Sequence, residues 1–390
     1  MRLHAGRKTI ALVGTIGTVV GALLVGSGAD VATADPTEPA FAPQSIVWPT
    51  QTDGYVLGGV ACGTETSTET GPGTDPAPCP AEVLATHNGG KTWVAAGRTH
   101  NGLAKSGEPG LTSLQFADAK FGWAYDPYLE VTKDGGKTWT QIPVPGGEAK
   151  VLNLLAAPDG TYVVTSGCEI GTGICDDRPL KVWRAPAGKS TGWKQLDVQV
   201  AADDHVAMDA EGSTVYFLAA PFVGPGRLST IRNGSVRPTS TVTCADAEDA
   251  TMTDLATNGP GRVFVLCMAN FGRGHSDKTL LVSGDGGKTF RYDAIPGGLG
   301  LAGQLSVGPD GAVMLSTLTA SLVYNRPTLS KSWRIDQEWL ENSEHIHDLV
   351  QQNGTTAWVV ERDAAYTQNT QLWVSHDAGA SWQQTTLVPA

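Results

Sequence analysis

Two sets of residues in this chain are of types that do chemistry. The first recurs: Asn88 in THNGGKTW (86–93), Asp134 in TKDGGKTW (132–139), Asp285 in SGDGGKTF (283–290) and Asp377 in SHDAGASW (375–382). Carboxylates repeated in glycine-rich loops could ligate calcium. Each copy brings at most one acid, however, and a calcium loop draws several oxygens from within about a dozen residues. The second set is Ser45, Ser113, Asn153, His205, Asp254, Gln304 and Asp348, each standing just before the first apolar residue of a β-like segment. His345 and His347 lie two apart immediately upstream of Asp348, so on a strand they would share a face and could hold a metal with that carboxylate. No third ligand of defined position completes such a site, and neither a metal nor a cofactor is expected.

The elements that must position these residues are repeats. Degenerate copies fill the gaps between the clear ones: WRAPAGKSTGW (183–193), IRNGSVRP (231–238) and YNRPTLSKSW (324–333). The closing positions 93, 139, 193, about 238, 290, 333 and 382 are spaced by roughly 48 residues on average, a period that marks propeller blades. About 40 residues before each closing position comes a short apolar run, a turn and a second run, as in SLQFADAKFGWAY (113–125) and DLATNGPGRVFVL (254–266). Each unit therefore reads strand, turn, strand, variable loop, strand, glycine turn, strand. The fold predicted is all-β, a seven-bladed β-propeller with four-stranded antiparallel blades. The blades fall near 44–97, 110–142, 150–197, 203–238, 250–294, 303–336 and 345–388, preceded by a linker at 35–43.

The pattern S/T-x-D-x-G-x-T-W resembles the Asp-box, or bacterial neuraminidase repeat, of sialidases, sortilin-type receptors, some xyloglucan hydrolases and photosystem II assembly factors. The resemblance implies a turn between the third and fourth strands of a blade, on the face away from the usual ligand face. The residues themselves agree with it. An Asx side chain two residues after Ser or Thr can accept from the amides ahead of it, and the glycines supply positive φ. Trp93, Trp139, Phe290 and Trp382 then serve as apolar plugs between blades.

Arg2, Arg7 and Lys8 precede an apolar stretch from about Thr9 to Gly28, and Ala32-Thr33-Ala34 offers a small-residue cleavage site. This layout predicts a secretory signal peptide at 1–34, cleaved after Ala34, and a secreted protein. Contact with a membrane is expected only if the segment stays uncleaved as an anchor. Losing three basic residues and Asp30 would move the formal charge from −12 to −14, a surface that repels nucleic acid. The six cysteines fall into close pairs, and in an exported chain an even count reads as disulfides. Fifteen pairings are formally possible; the nearest-neighbour one, Cys62–Cys79, Cys168–Cys175 and Cys244–Cys267, is the expectation.

Two functions from different classes fit. A sialidase-like glycoside hydrolase would, by the resemblance, need three arginines, a Tyr/Glu nucleophile pair and an aspartic acid/base, the first arginine in an Arg-Ile-Pro motif. The chain has no Arg-Ile-Pro and no arginine at all between residues 9 and 97. No G-x-S-x-G elbow, H-E-x-x-H helix or phosphate-binding loop is found. The other reading is a monomeric, non-catalytic binding or scaffold module for an extracellular protein or glycan. Asn153, His205, Asp254, Gln304, His347 and Asp348 are its candidate binding residues at the channel mouth, although a water-filled channel is polar for its own sake. Acidic residues of the unit-to-unit connections, such as Asp203-Asp204 and Glu338, Glu341 and Glu344, form either a rim for a basic partner or a solvating collar.

Overall fold

Short apolar runs broken every few residues by glycine, proline and Asx turns cannot bury themselves alone, and here they assemble by fours. The computed structural model describes residues 41–60, 79–104, 109–168, 170, 179–244, 249–272, 275–317, 322–336, 345–362 and 370–387. These form seven antiparallel sheets, each hydrogen-bonded in chain order, the fifth carrying the additional short strand Gly298–Leu299. The sheets are the blades of a seven-bladed propeller. Their innermost strands are Phe41–Val47, Ser113–Phe116, Lys150–Ala157, His205–Glu211, Thr251–Thr257, Ala302–Val307 and His345–Gln351. Residues 41–43, assigned to the linker by sequence, are already strand. Residues 1–40, where the signal peptide and most of the linker are expected, lie outside the described residues.

The core is divided into wedges, one at each junction between neighbouring blades. Leu218, Leu228, Met252 and Val265 fill the junction of blades 4 and 5, for example, and Phe264, Leu280, Leu315 and Tyr324 that of blades 5 and 6. The closing aromatics sit in the wedge shared with the preceding blade: Trp139, edge-on to Phe116, in that of blades 1 and 2, Trp193 on Trp123, Phe290 beside Leu228, and Trp382 in the wedge of blades 6 and 7. Blades 1 and 7 are each built from one contiguous stretch, so the ring closes without exchange of a strand. An aromatic cluster joins them instead. Trp48 stacks on Trp358 at 5.4 Å between centroids, and Trp93 stands edge-on to both at 5.8 and 6.0 Å. Each such pair contributes about 0.5–1.5 kcal/mol beyond the area it buries. Gly90 makes this closure possible, because a Cβ there would stand 2.6 Å from the Trp358 ring.

The recurring phrase is a turn between third and fourth strands in every complete copy. In the second blade, Asp134 Oδ1 accepts from the Thr132 hydroxyl and the Thr138 amide, both at 2.9 Å, and Oδ2 from the Thr138 hydroxyl at 2.6 Å. Asp285 and Asp377 repeat the set with Ser283 and Thr289, and with Ser375 and Ser381. Asn88 keeps the acceptor half and donates its amide to Thr92. The next backbone N–H in each turn, from Gly89, Gly135, Gly286 or Ala378, donates to the first hairpin of the same blade at Thr52, Lys120, Gly261 or Thr355. The turn thus pins the outer hairpin of a blade to its inner one.

Of the three expected disulfides, Cys244–Cys267 is present with 5.9 Å between Cα atoms, and it joins the end of blade 4 to the second strand of blade 5. Cys79 and Cys168 are disulfide-bonded; their expected partners, Cys62 and Cys175, lie outside the described residues.

Ala378 holds φ = 60°, in a place where the other complete copies have glycine. A Cβ in the left-handed region costs about 1 kcal/mol or more. Ala378→Gly is therefore expected to raise the unfolding free energy by about 0.5–1 kcal/mol in urea melts.

Candidate functional site

The inner strands enclose a central cavity of about 660 Å³ to which all seven blades contribute. Ser45, Ser113, Asn153, His205, Asp254, Gln304 and Asp348 all line it, together with His347. The lining runs from these residues toward the first hairpin turns, reaching Trp48, Pro158 and Gln351. The seven thus stand as a ring at one end of the cavity.

What they do there follows from the exposed inner edge of each inner strand, whose backbone groups have no further strand to pair with. The side chain from one blade reaches the backbone beside the ring residue of the next. Ser45 Oγ accepts from the Leu114 amide at 3.3 Å, and Asn153 donates to the Val206 carbonyl at 3.1 Å. His205 meets the Thr253 backbone. Asp254 Oδ2 accepts from the Leu305 amide at 2.7 Å, and Gln304 donates to the His347 carbonyl at 2.9 Å. Asp348 Oδ2 completes the circuit at blade 1, accepting from the Ile46 amide at 2.9 Å and the Ser45 hydroxyl at 3.1 Å. In blade 2, Tyr125 takes the part, bonded to Ser113 and to the Leu154 backbone of blade 3. A partial second course lies deeper, where Asp209 accepts from Thr257 and Ser306 from the Gln351 amide.

Local backbone geometry aims these side chains. The ladder between the two inner strands slips at Gln44, Leu152, Thr253 and His347, which leaves one extra residue just before Ser45, Asn153, Asp254 and Asp348. A bulge rotates the residues that follow it and increases the twist. His347 occupies such a bulge, where its ring approaches Gln44 Nε2 at 3.2 Å. Among the described residues no group of three His, Cys, Asp or Glu side chains is arranged to hold a metal ion.

Burial sets the charge of the ring. It pushes Asp254 up to about 7, the Leu305 and Leu255 amides opposing it and the carboxylates of Asp209 and Asp348 adding to it. Asp209 and Asp348 rise to about 6, again chiefly through burial. Burial lowers His205, which favours its neutral form. Gln304 Oε1 and Gln351 Oε1 are buried with no hydrogen-bond partner among the described residues, and Gln351 Oε1 faces Gly308, where a Cβ would stand 2.2 Å from it. The turn carboxylates are the opposite case. Asp285 is held well below the usual range, first by the Thr289 amide and then by the Thr289 and Ser283 hydroxyls.

Sequence reading found the ring positions but not their partners Asp209, Tyr125, Ser306 and Gln351. The only signal for the first and last of these was a polar residue on the same strand, a few positions after the ring residue. The letters G-x-S-x-G do occur, at 188–192. They form the turn between the third and fourth strands of blade 3, where Ser190 is buried and no helix follows.

No family model and no curated protein matches the chain. Solved structures do. YCF48 bound to D1 peptide is similar at 14% identity with a TM-score of 0.54, over 88% of this chain and 94% of that one. YCF48 from Cyanidioschyzon merolae gives 15% and 0.52, over 89% and 98%. A catalytically inactive virginiamycin B lyase from Staphylococcus aureus with quinupristin gives 8% and 0.56, over 87% and 96%. At these identities the shared property is the fold: the chain is a seven-bladed propeller like YCF48. The fold is common to a lyase and to a protein seen with a bound peptide, so it does not choose between catalysis and binding.

Two outcomes are expected. Asp348→Ala strips the Ile46 amide of its acceptor at ring closure and should cost about 1–3 kcal/mol in chemical denaturation. The raised carboxylates bind more protons folded than unfolded, so the stabilisation present below the unfolded value of 3.8 is lost as pH rises through about 7. The stability of the parent chain relative to Asp254→Asn, which cannot ionise, should therefore fall between pH 4 and pH 8; a flat difference would contradict the shift.

Proposed function

We propose that the chain is an exported, non-catalytic binding module whose propeller presents the central cavity to a segment of an extracellular protein or glycan. The observation that carries this reading is how the cavity spends its polar groups. All three of its carboxylates accept from backbone amides of a neighbouring blade. Among the described residues, no arginine, lysine or glutamate lines it. A sialidase-type centre, by the resemblance to that family, needs three arginines and a Tyr/Glu pair facing the substrate. What the cavity offers instead is hydroxyls, an amide and imidazoles: Ser45, Ser113, Asn153, His205 and His347. Such groups orient a polar ligand by hydrogen bonding. The signal-like N-terminus and the Cys244–Cys267 bridge support an extracellular setting. That a propeller of the same fold has been seen with a peptide, YCF48 with D1 peptide, makes a protein segment a reasonable occupant.

A second reading, glycoside hydrolysis, is favoured by one observation. Asp254, raised to about 7, lies near enough to Asp209 and Asp348 to feel their charge, and displaced carboxylate pairs are what acid–base catalysis uses. The filled acceptor positions of all three argue against it.

The test is to incubate the purified chain with sialosides and plant and bacterial polysaccharides and follow released sugars by mass spectrometry. No release from folded protein is expected. Release of a defined sugar, lost in Asp254→Asn, would replace the binding reading with the hydrolase.

A further inference from the structure

Blade 4 departs from the repeat. Its third and fourth strands, Gly226–Arg232 and Ser235–Val242, are joined by the two residues Asn233 and Gly234, at φ of 48° and 78°. Two positive φ values in a two-residue loop make a tight hairpin turn that keeps the ladder paired to its end, here Arg232 opposite Ser235. The outer strand consequently runs eight residues, against two to five in the other blades. It forms one wall of a cleft of about 770 Å³, whose other wall is the Asp285 turn of blade 5.

The cleft collects positive charge on a chain of net charge −12. Arg232, Arg237 and Lys288 all line it. Arg232 is oriented by Nε donating to Thr214 Oγ1 at 2.8 Å, and among the described residues neither terminal nitrogen of its guanidinium has a partner. Among the described residues Arg237 and Lys288 make no ion pair. The single acid of the lining among the described residues, Asp285, has both oxygens engaged by Ser283, Lys288 and Thr289 of its own turn, so it does not neutralise the cations by pairing with them. Among the described residues the remaining side chains are hydroxylic, Thr214, Thr230, Ser235, Thr239 and the phenol of Tyr216, with Pro238 the one apolar side chain.

We propose that this cleft binds an anionic saccharide, a sugar unit bearing a carboxylate or a sulfate. Guanidinium groups bond the oxyanion in a fork and the lysine adds a point charge. The hydroxyls pair with sugar hydroxyls, which both donate and accept. A peptide fits less well, because peptide anchors are apolar or aromatic side chains in desolvated pockets, and this cleft has none to offer. The inference rests on the binding-module reading and adds to it a ligand class and a second place on the ring, away from the central cavity.

The test is calorimetric titration of the full chain with four probes: a sulfated heparin hexasaccharide, a hexagalacturonate, a neutral maltohexaose and a hexaglutamate peptide. At least one anionic sugar should bind, the neutral one should not, and binding should weaken with added salt. Whichever anionic sugar binds identifies the group as sulfate or uronate. The double variant Arg237→Ala with Lys288→Ala should weaken that binding about tenfold or more, while Lys137→Ala, the matching lysine of the blade 2 turn, should leave it unchanged. Binding that survives the double variant, a hexaglutamate that binds as tightly as the sugars, or no binding at all would overturn the proposal. Mass spectrometry of the same mixtures keeps the two readings apart: fragments of the bound sugar would overturn the non-catalytic reading and leave the cleft assignment standing.

Discussion

Seven sheets close into a ring only if the inner edge of each is held by the next, and that edge is where backbone groups lack a strand partner. The protein meets this constraint with one side chain per junction, which crosses to the peptide beside the neighbouring ring residue. Ser45, Asn153, His205, Asp254, Gln304 and Asp348 do so directly, and Ser113 through Tyr125. Each bond is worth about 1 kcal/mol net, and leaving its buried partner unmet costs more. Asp348 matters most because ring closure has no shared strand, and its carboxylate, the Trp48–Trp358 stack and the Gln352 to Gln51 bond hold the last blade to the first. The ring and the wedge core beneath it are therefore one device, polar at the axis and apolar outward.

The same economy governs the carboxylates at the periphery. An acid exposed on a turn has no reason to recur at one spacing unless the turn needs it, and here each is filled by its own amides and hydroxyls. The contrast between Asp285, held anionic by donors, and Asp254, pushed toward neutrality by burial, shows that position in the blade sets protonation. Neither environment leaves an acceptor pair open for chemistry. Less committed polar surface lies at the cations of blades 4 and 5.

Much of this was legible in the sequence because it repeats. The turn phrase gave its own geometry: an Asx two residues after a hydroxyl, then glycine, then an aromatic that must be buried. Aligning the seven hairpins exposed the polar ring, since one polar residue before each apolar run is conspicuous only in register. What was not legible is what the pleat hides. The extra residues at Gln44, Leu152, Thr253 and His347 break alternation by one step, and in a short strand that reads as noise. Asp209 and Gln351 were passed over because their partners lie 48 and 45 residues away in neighbouring blades. The cleft was invisible for the same reason, Arg237 and Lys288 being brought together only by the junction of blades 4 and 5. The Asn-Gly turn of blade 4 was readable as a turn, but not as the cause of a longer outer strand.

The central claim is that the channel's polar side chains are spent on holding the ring. Residue-resolved amide hydrogen exchange on the folded chain tests it most directly, at Ile46, Leu114, Thr257 and Leu305, whose N–H groups point at side-chain acceptors of adjacent blades. The account predicts protection equal to that of the ladder amides in the same blades, since these bonds open only when blades part. Exchange at near-solvent rates at these four positions, with the ladders still protected, would mean that the ring residues do not clasp the blades and that their role must be sought elsewhere.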